Sequence, residues 1–349
     1  MTGAWSTKEK IGLACIAVAL IALPFVLAMA GTAWVRITNF AVLFILLSLG
    51  LNIVVGFAGL LDLGYVAFFA VGAYVYALLA SPHFGLHLPF WVILPIGAAV
   101  AGLAGAVLGA PTLRLRGDYL AIVTLGFGEI VRIFMNNLSA PVNITNGPKG
   151  INLIDPFRIG DFSFSANSGA LSGPIKYYYF LLLVLLAVIV INRRLQDSRI
   201  GRAWVAIRED EIAAKAAGIN TRNIKLLAFA MGASFGGIAG GMFAAIQGFV
   251  SPESFILNES IMILAMVVLG GMGNIWGVIA GAVLLSFMPE LLRYTVEPAQ
   301  KALFGRMLVD PEVLRMLIFG LALVLTMRFR PAGLWPETRH RRELDADRK

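Results

Sequence analysis

Residues able to do chemistry are scarce in this chain, and most of them fall within or beside hydrophobic stretches: Asn52, Asp62, Thr124, Glu129, Arg132, Gln247, Glu259 and Asn274. An ionisable group in such a place is a functional candidate by default, because lipid does not solvate it. Glu129 and Arg132 are three apart on one helix, however, and can neutralise each other. Asp62 can simply cap the helix that follows it. Asn52, Thr124, Glu129, Gln247 and Asn274 are therefore the candidates for a translocation path. His83 and His87 have the spacing of a metal pair, but Pro82, Gly85 and Pro89 turn the chain there, so a connecting loop is the better reading. The lone Cys15 excludes an intramolecular disulfide and metal sites built from several thiolates.

Energy for transport has no obvious source in the chain. The phosphate-binding pattern G-x-x-x-x-G-K-[ST] is absent from the sequence. Gly147-Pro148-Lys149-Gly150 lacks the spacing, and Gly126-Phe127-Gly128 lies in an apparent membrane span without the strand that a dinucleotide site needs. If ATP drives the protein, a partner binds it. No set of converging acids and histidines suggests an intramembrane enzyme.

The elements that must position these residues are membrane helices. The chain is 59% hydrophobic and 14% charged, with a mean hydropathy of +0.83; a soluble domain usually carries about 25% charged residues. Apolar runs between polar or Pro/Gly breaks predict about ten membrane segments, at 11–30, 38–57, 62–80, 90–112, 118–137, 177–192, 226–249, 258–272, 274–291 and 312–328. The break at Gly270-Gly271-Met272-Gly273-Asn274 reads equally as a kink or a re-entrant turn, which leaves open whether 274–291 fully spans. The first run is longer than a signal-peptide core and reads as a retained helix despite Ala28-Met29-Ala30. Three series of glycines (Gly102, Gly105, Gly109; Gly232, Gly236, Gly240; Gly277, Gly281) form small-residue faces suited to close helix packing.

Lys and Arg set the orientation. With the N-terminus inside, the cytoplasmic set holds Lys8, Lys10, Arg114, Arg116, the run from Arg193 to Lys225 and the tail after Arg328, and it outweighs the opposite set. Both termini are expected in the cytoplasm. The formal charge of +8 then reflects topology, with no basic and aromatic interleaving to suggest nucleic acid. An external loop over about 138–176 and a cytoplasmic loop over about 193–225 separate the spans, and the charged tail 331–349 reads as disordered.

The cytoplasmic loop looks helical. Asp197 or Ser198 can cap its start, Glu211 and Lys215 pair at i,i+4, and Gly218 can take the left-handed stop. Ala213, Ala214, Ala216 and Ala217 let another surface approach, and Trp204 and Ile207 can fill a groove in a docking partner. The pattern equally fits an amphipathic connector at the lipid surface, with Arg202 and Arg208 near headgroups.

These residues resemble the coupling loop of ABC-importer permeases, in the version found in branched-chain amino acid permeases of the LivM type. The resemblance covers most of the chain. It includes Gly50 through Tyr65, Ala67 through Tyr74, Leu113-Arg114-Leu115-Arg116-Gly117-Asp118-Tyr119, Thr124 through Ile130, Asn146 through Ile151 and Gly270 through Asn274. It departs where the general pattern sets Glu-Ala-Ala three residues before Gly: Ala213 and Ala214 stand one residue farther from Gly218, Ile212 occupies the Glu place, and Glu211 comes one position early.

The resemblance implies an all-α membrane protein, a polytopic bundle of about ten transmembrane helices over 1–330, in a bacterial inner membrane. It implies no covalent chemistry and no cofactor bound by this chain. ATP and magnesium would be held by two ATPase subunits docking at Trp204, Ile207, Arg208, Glu211, Ala213, Ala214 and Gly218. A second homologous permease and a periplasmic amino-acid-binding protein complete the set of partners, with lipid around it. The implied cargo is leucine, isoleucine and valine. A urea or short-amide permease shares the architecture, and an ion-coupled carrier is the rival from another class.

Overall fold

The computed structural model describes residues 7–112, 115, 117–140, 142–160, 162–165, 172–304, 310–330 and 333–335. Twelve helices dominate: α1 Thr7–Ala30, α2 Thr32–Asn52, α3 Val66–Leu79, α4 Phe90–Thr112, α5 Asp118–Asn137, α6 Gly173–Gln196, α7 Arg199–Glu209, α8 Glu211–Ala216, α9 Thr221–Gln247, α10 Leu257–Gly270, α11 Ile275–Phe304 and α12 Pro311–Phe329. A π-helical turn, Ile53–Phe57, extends α2. Setting aside α7 and α8, the remaining ten overlap the ten apolar runs, with most edges moved by a few residues; α11 is the exception, running on to Phe304 where the apolar run ends at 291.

Six of them are long and apolar enough to cross a membrane by length and composition among the described residues. Shorter apolar stretches lie in α1, α3 and α12. The tenth, α5, carries Asp118, Glu129 and Arg132. The break at 270–274 is a tight reversal: Gly271 and Gly273 have positive φ, and α11 runs back along α10 with Gly281 against Met266 and Gly277 against Gly270. The stretch Ile275–Val296 is itself long enough to span.

Helix α9 is the axis of the bundle. Its glycines fall on two faces. Gly232, Gly236 and Gly240 meet α2 and α3, whereas Gly237 meets Gly97 and Ala101 of α4. From the other side, Gly102, Gly105 and Gly109 of α4 rest on Ala230, Ala233, Ser234, Phe229 and Leu226 of α9. A Cβ at Gly72 would overlap the backbone of Gly237, so α3 and α9 touch main chain to main chain. Tyr65, fully buried, donates its hydroxyl to the Gly232 carbonyl at 2.9 Å. In lipid, where apolar burial supplies little drive, such close contact and buried hydrogen bonds hold helices together.

Two short antiparallel pairs close one end of the bundle. β1 (Ile151–Asn152) pairs with β4 (Phe249–Val250), and β2 (Arg158–Ile159) with β3 (Phe162–Ser163). His87 Nδ1 meets the Asp155 carboxylate and His83 Nε2 meets the Asn143 carbonyl, so the two histidines tie this loop to α3 and α4 separately. No group of three or more metal-ligating side chains occurs among the described residues.

The opposite end carries α7, α8 and the α10–α11 reversal. Leu334 and Trp335 lie here too, donating backbone N–H groups to the carbonyls of Leu269 and Gly270 at 2.9 and 3.0 Å. Residues 333–335 of the charged tail pack on the reversal, because Gly271 and Gly333 leave room for two backbones to meet. Residues 331, 332 and 336–349, Leu113, Arg114 and Arg116 of the Leu-Arg motif, and 166–171 of the external loop lie outside the described residues.

The α3–α4–α9 contact can be tested by filling it. Gly237→Leu is expected to destabilise the protein by about 3 kcal/mol or more, since neither Ala101 nor the Gly97 backbone can move aside. Gly126→Leu, where nothing lies within 4 Å of an added Cβ, is expected to cost about 0.5 kcal/mol or less. Thermal unfolding in detergent separates them; equal midpoints would show that the glycines are not holding the bundle.

Candidate functional site

The loop between α6 and α9 folds as two short helices meeting at a corner. Ser198 starts α7, its Oγ accepting from the Gly201 N–H at 3.1 Å. Asp210 then takes an extended conformation and ends it. The Asp210 carboxylate accepts from the Ile212 and Ala213 N–H groups at 2.7 and 3.0 Å, starting α8. One continuous helix was expected here; the correction lies in Asp210, whose side chain offers the backbone an alternative to helical bonding. Gly218, at φ +83°, stops α8 in the left-handed conformation, with Ile219 N–H returning to the Ala214 carbonyl at 3.0 Å.

Several residues expected to meet a partner face inward instead. Trp204 is fully buried; it stacks on Phe57 with ring centroids 6.5 Å apart, and its indole N–H donates to the Ile224 carbonyl at 2.8 Å. Ile207 is buried beside it. Arg208 donates to the Gly56 carbonyl in the π-helical turn, and its stem packs on Gly59. The groove that Trp204 and Ile207 fill is therefore the chain's own, because the α2 end and the start of α9 supply the apolar walls. Arg208 likewise is not a lipid headgroup contact.

Glu211 fixes α8 to α9. It pairs with Lys225 at 2.8 Å and Lys215 at 3.0 Å, and Thr221 Oγ1 also donates to it. Partial burial pushes its carboxyl up, but the two ammonium groups and their hydrogen bonds prevail and bring it from 4.5 down to about 2. Ala214 is buried beneath the corner. What remains outward is Ile212, 68% exposed, with Ala213, Lys215, Ala216 and Ala217. Sequence reasoning missed Ile212 and Asp210; an apolar residue two places after a capping Asp was the available signal.

The path candidates separate by what their polar atoms do. Asn52, completely buried, accepts from the Gly273 N–H at 2.9 Å and so pins the α10–α11 reversal to α2. Asn274 caps α11, accepting from Trp276 and Gly277. Thr124 accepts from Leu63 N–H at 3.0 Å and donates to the Ala121 carbonyl. Asp62 caps the approach to α3 by accepting from the Gly64 N–H at 2.8 Å. Gln247 is exposed at the end of α9. Glu129 borders a cavity between α3, α5 and α10, and it is paired with Arg132 as its spacing suggested.

A helical bundle with six helices long and apolar enough to cross a membrane among the described residues is a multi-pass membrane protein. The chain belongs to the family described as branched-chain amino acid transport system / permease component, which matches residues 33–327. It is 46% identical over 351 aligned residues to the high-affinity branched-chain amino acid transport system permease protein LivM of Escherichia coli (strain K12), covering 96% of this chain and 76% of that one. The LivM protein of Salmonella typhimurium (strain LT2) is 45% identical over the same shares. The LivH permease of Escherichia coli (strain K12) is 24% identical, over 70% of this chain and 80% of its own. No solved structure matches.

Glu211→Gln leaves the nearly buried Lys225 without a charged partner. At neutral pH it is expected to loosen the corner by about 2 kcal/mol, between the values for a surface pair and a buried one. Because the folded carboxyl is held below its usual value, the stabilisation is complete above pH 4.5 and is lost as pH falls toward 2. Hydrogen exchange over 210–222 in wild type and variant should differ at pH 7 and converge in acid; a difference independent of pH would remove the ion pair as its cause.

Proposed function

We propose that this chain is one membrane-spanning subunit of an ATP-binding-cassette importer that brings leucine, isoleucine and valine into the cytoplasm. The observation that carries the reading is the 46% identity to a LivM permease across nearly the whole chain. The weaker likeness to LivH proteins supports a second permease of the same family as partner. Two ATPase subunits bind ATP and magnesium, and a periplasmic binding protein delivers the amino acid. The membrane is the bacterial inner membrane, with both termini cytoplasmic, in keeping with the Lys and Arg bias.

The corner of α7 and α8 is the docking element in this reading. Ile212 and Ala213, with Ala216 and Ala217, form its outward surface, small enough for close approach. Trp204, Ile207, Arg208, Glu211 and Ala214 act from beneath, carrying movement of the corner into the α2 end and α9. Gly218 holds the corner's end in place.

Uptake of labelled leucine and of labelled urea, with and without the gene, tests the cargo. Leucine uptake is expected to disappear at low concentration while urea uptake persists; the reverse would keep the architecture and replace the cargo. Leucine uptake abolished by an uncoupler with ATP intact would indicate an ion-coupled carrier instead.

Gly218 tests the corner. Nothing lies within 4 Å of an added Cβ, so only backbone strain acts, of about 1–2 kcal/mol for a branched side chain in the left-handed region. Gly218→Asn should retain most uptake, Gly218→Ala less and Gly218→Val least, at unchanged membrane levels. Full uptake and full ATPase stimulation with Gly218→Val would remove the coupling role.

A further inference from the structure

Between α3, α5 and α10 lies a cavity of about 130 Å³. Its walls are Leu63 and Val66 before and at the start of α3, Leu125 on α5, and Phe255 and Leu257 at the start of α10, with Glu129 at its margin. The Thr124 hydroxyl, bonded to Leu63 N–H, holds the α3 wall against α5. One turn beyond Glu129, Arg132 bridges two acids: it pairs with Glu129 on its own helix and with Glu253 across the gap at 3.1 Å. An apolar pocket beside a cation set between two anions is an amphipathic receptor.

We propose that this cavity seats the aliphatic side chain of an α-amino acid in transit, while the Glu129–Arg132–Glu253 cluster receives its zwitterionic head. The assignment depends on the importer reading above. The α-ammonium group replaces the guanidinium as partner of Glu129 or Glu253, and the α-carboxylate takes a face of Arg132, so no net charge is added. Engineered apolar voids of about 150 Å³ hold benzene, so an isobutyl or sec-butyl group fits this one. Binding sites of this kind are mostly apolar with a few placed polar groups. The side chains of Glu129, Arg132 and Glu253 remain 40%, 24% and 62% exposed, so the head of a ligand can reach them. An acyl chain could enter the same apolar space, but it has no use for the charges.

The test is initial uptake of saturating labelled leucine and valine by cells carrying the complete importer with wild type, Leu125→Trp or Leu257→Ala, normalised to membrane level. Leu125→Trp fills the cavity and is expected to lower leucine uptake about tenfold or more. Leu257→Ala enlarges it and should change the leucine-to-valine ratio by about tenfold, the usual effect of a methylene group or two in an apolar pocket. If Leu125→Trp fails to reach the membrane, the ratio in Leu257→Ala decides. Wild-type rates and ratio in the variants that reach the membrane would overturn the cavity assignment alone, and would assign the space to lipid or a neighbouring subunit. Absence of leucine uptake with wild type would overturn the importer reading and this assignment together.

Discussion

The contact of α9 with its neighbours is the constraint on which the bundle depends. At Gly72 and Gly237 the two main chains touch, and at Gly240 an added Cβ would overlap the Phe69 carbonyl. Lipid is as apolar as leucine, so a larger side chain in these places would gain nothing by being buried and would force the helices apart. The approach also creates the hydrogen bonds that give α2 and α3 their register. Tyr65 reaches the Gly232 carbonyl only because Gly50 and Gly232 leave space between α2 and α9.

From this axis a line of polar contacts runs to the corner of α7 and α8. Asn52 holds the α10–α11 reversal, the π-helical turn follows, and Arg208 grips the Gly56 carbonyl within that turn. A π-helical turn frees a carbonyl from regular bonding, which makes it available to an outside donor. Trp204 ties the same helix to Ile224 at the start of α9. The corner is thus bonded to two membrane helices at once. The exposed face of α8 is joined to α9 through Glu211 and Lys225 and, across the Asp210 break, to α7.

Much of this was legible in the sequence. The ten apolar runs located the helices, because lipid demands continuous apolar length, but not every edge, since α2 begins at Thr32 and α11 runs on to Phe304; the glycine series marked helix contact surfaces because few other residues allow backbones so close. Gly218, Ser198 and the Glu211–Lys215 pair were readable because caps, stops and i,i+4 pairs are local. What stayed hidden depends on partners distant in sequence. Trp204 looks the same whether its groove belongs to another protein or to Phe57 and Ile224. The sequence does not reveal that Gly273 and Leu63 use the side-chain oxygens of Asn52 and Thr124. Asp210 was the avoidable miss, since an Asp followed by a short alanine-rich run is a local capping signal.

The distribution of polar atoms also limits where a solute can pass. In the interior, Asn52, Asp62, Thr124 and Asn274 are engaged with backbone groups, and the space between α2, α3 and α9 is filled by main-chain contacts and by rings such as Phe69, Phe243 and Phe255, packed with centroids 5.2 to 6.2 Å apart. A route through that region would have to break the contacts that hold α9. The charged triad of Glu129, Arg132 and Glu253 lies instead at the flank of α5, half exposed beside an apolar surface. Charges in such a position are tolerable only beside water or another protein. A path along α5, as proposed above, would leave the packed axis intact, because none of the α9 glycine contacts lies on that helix.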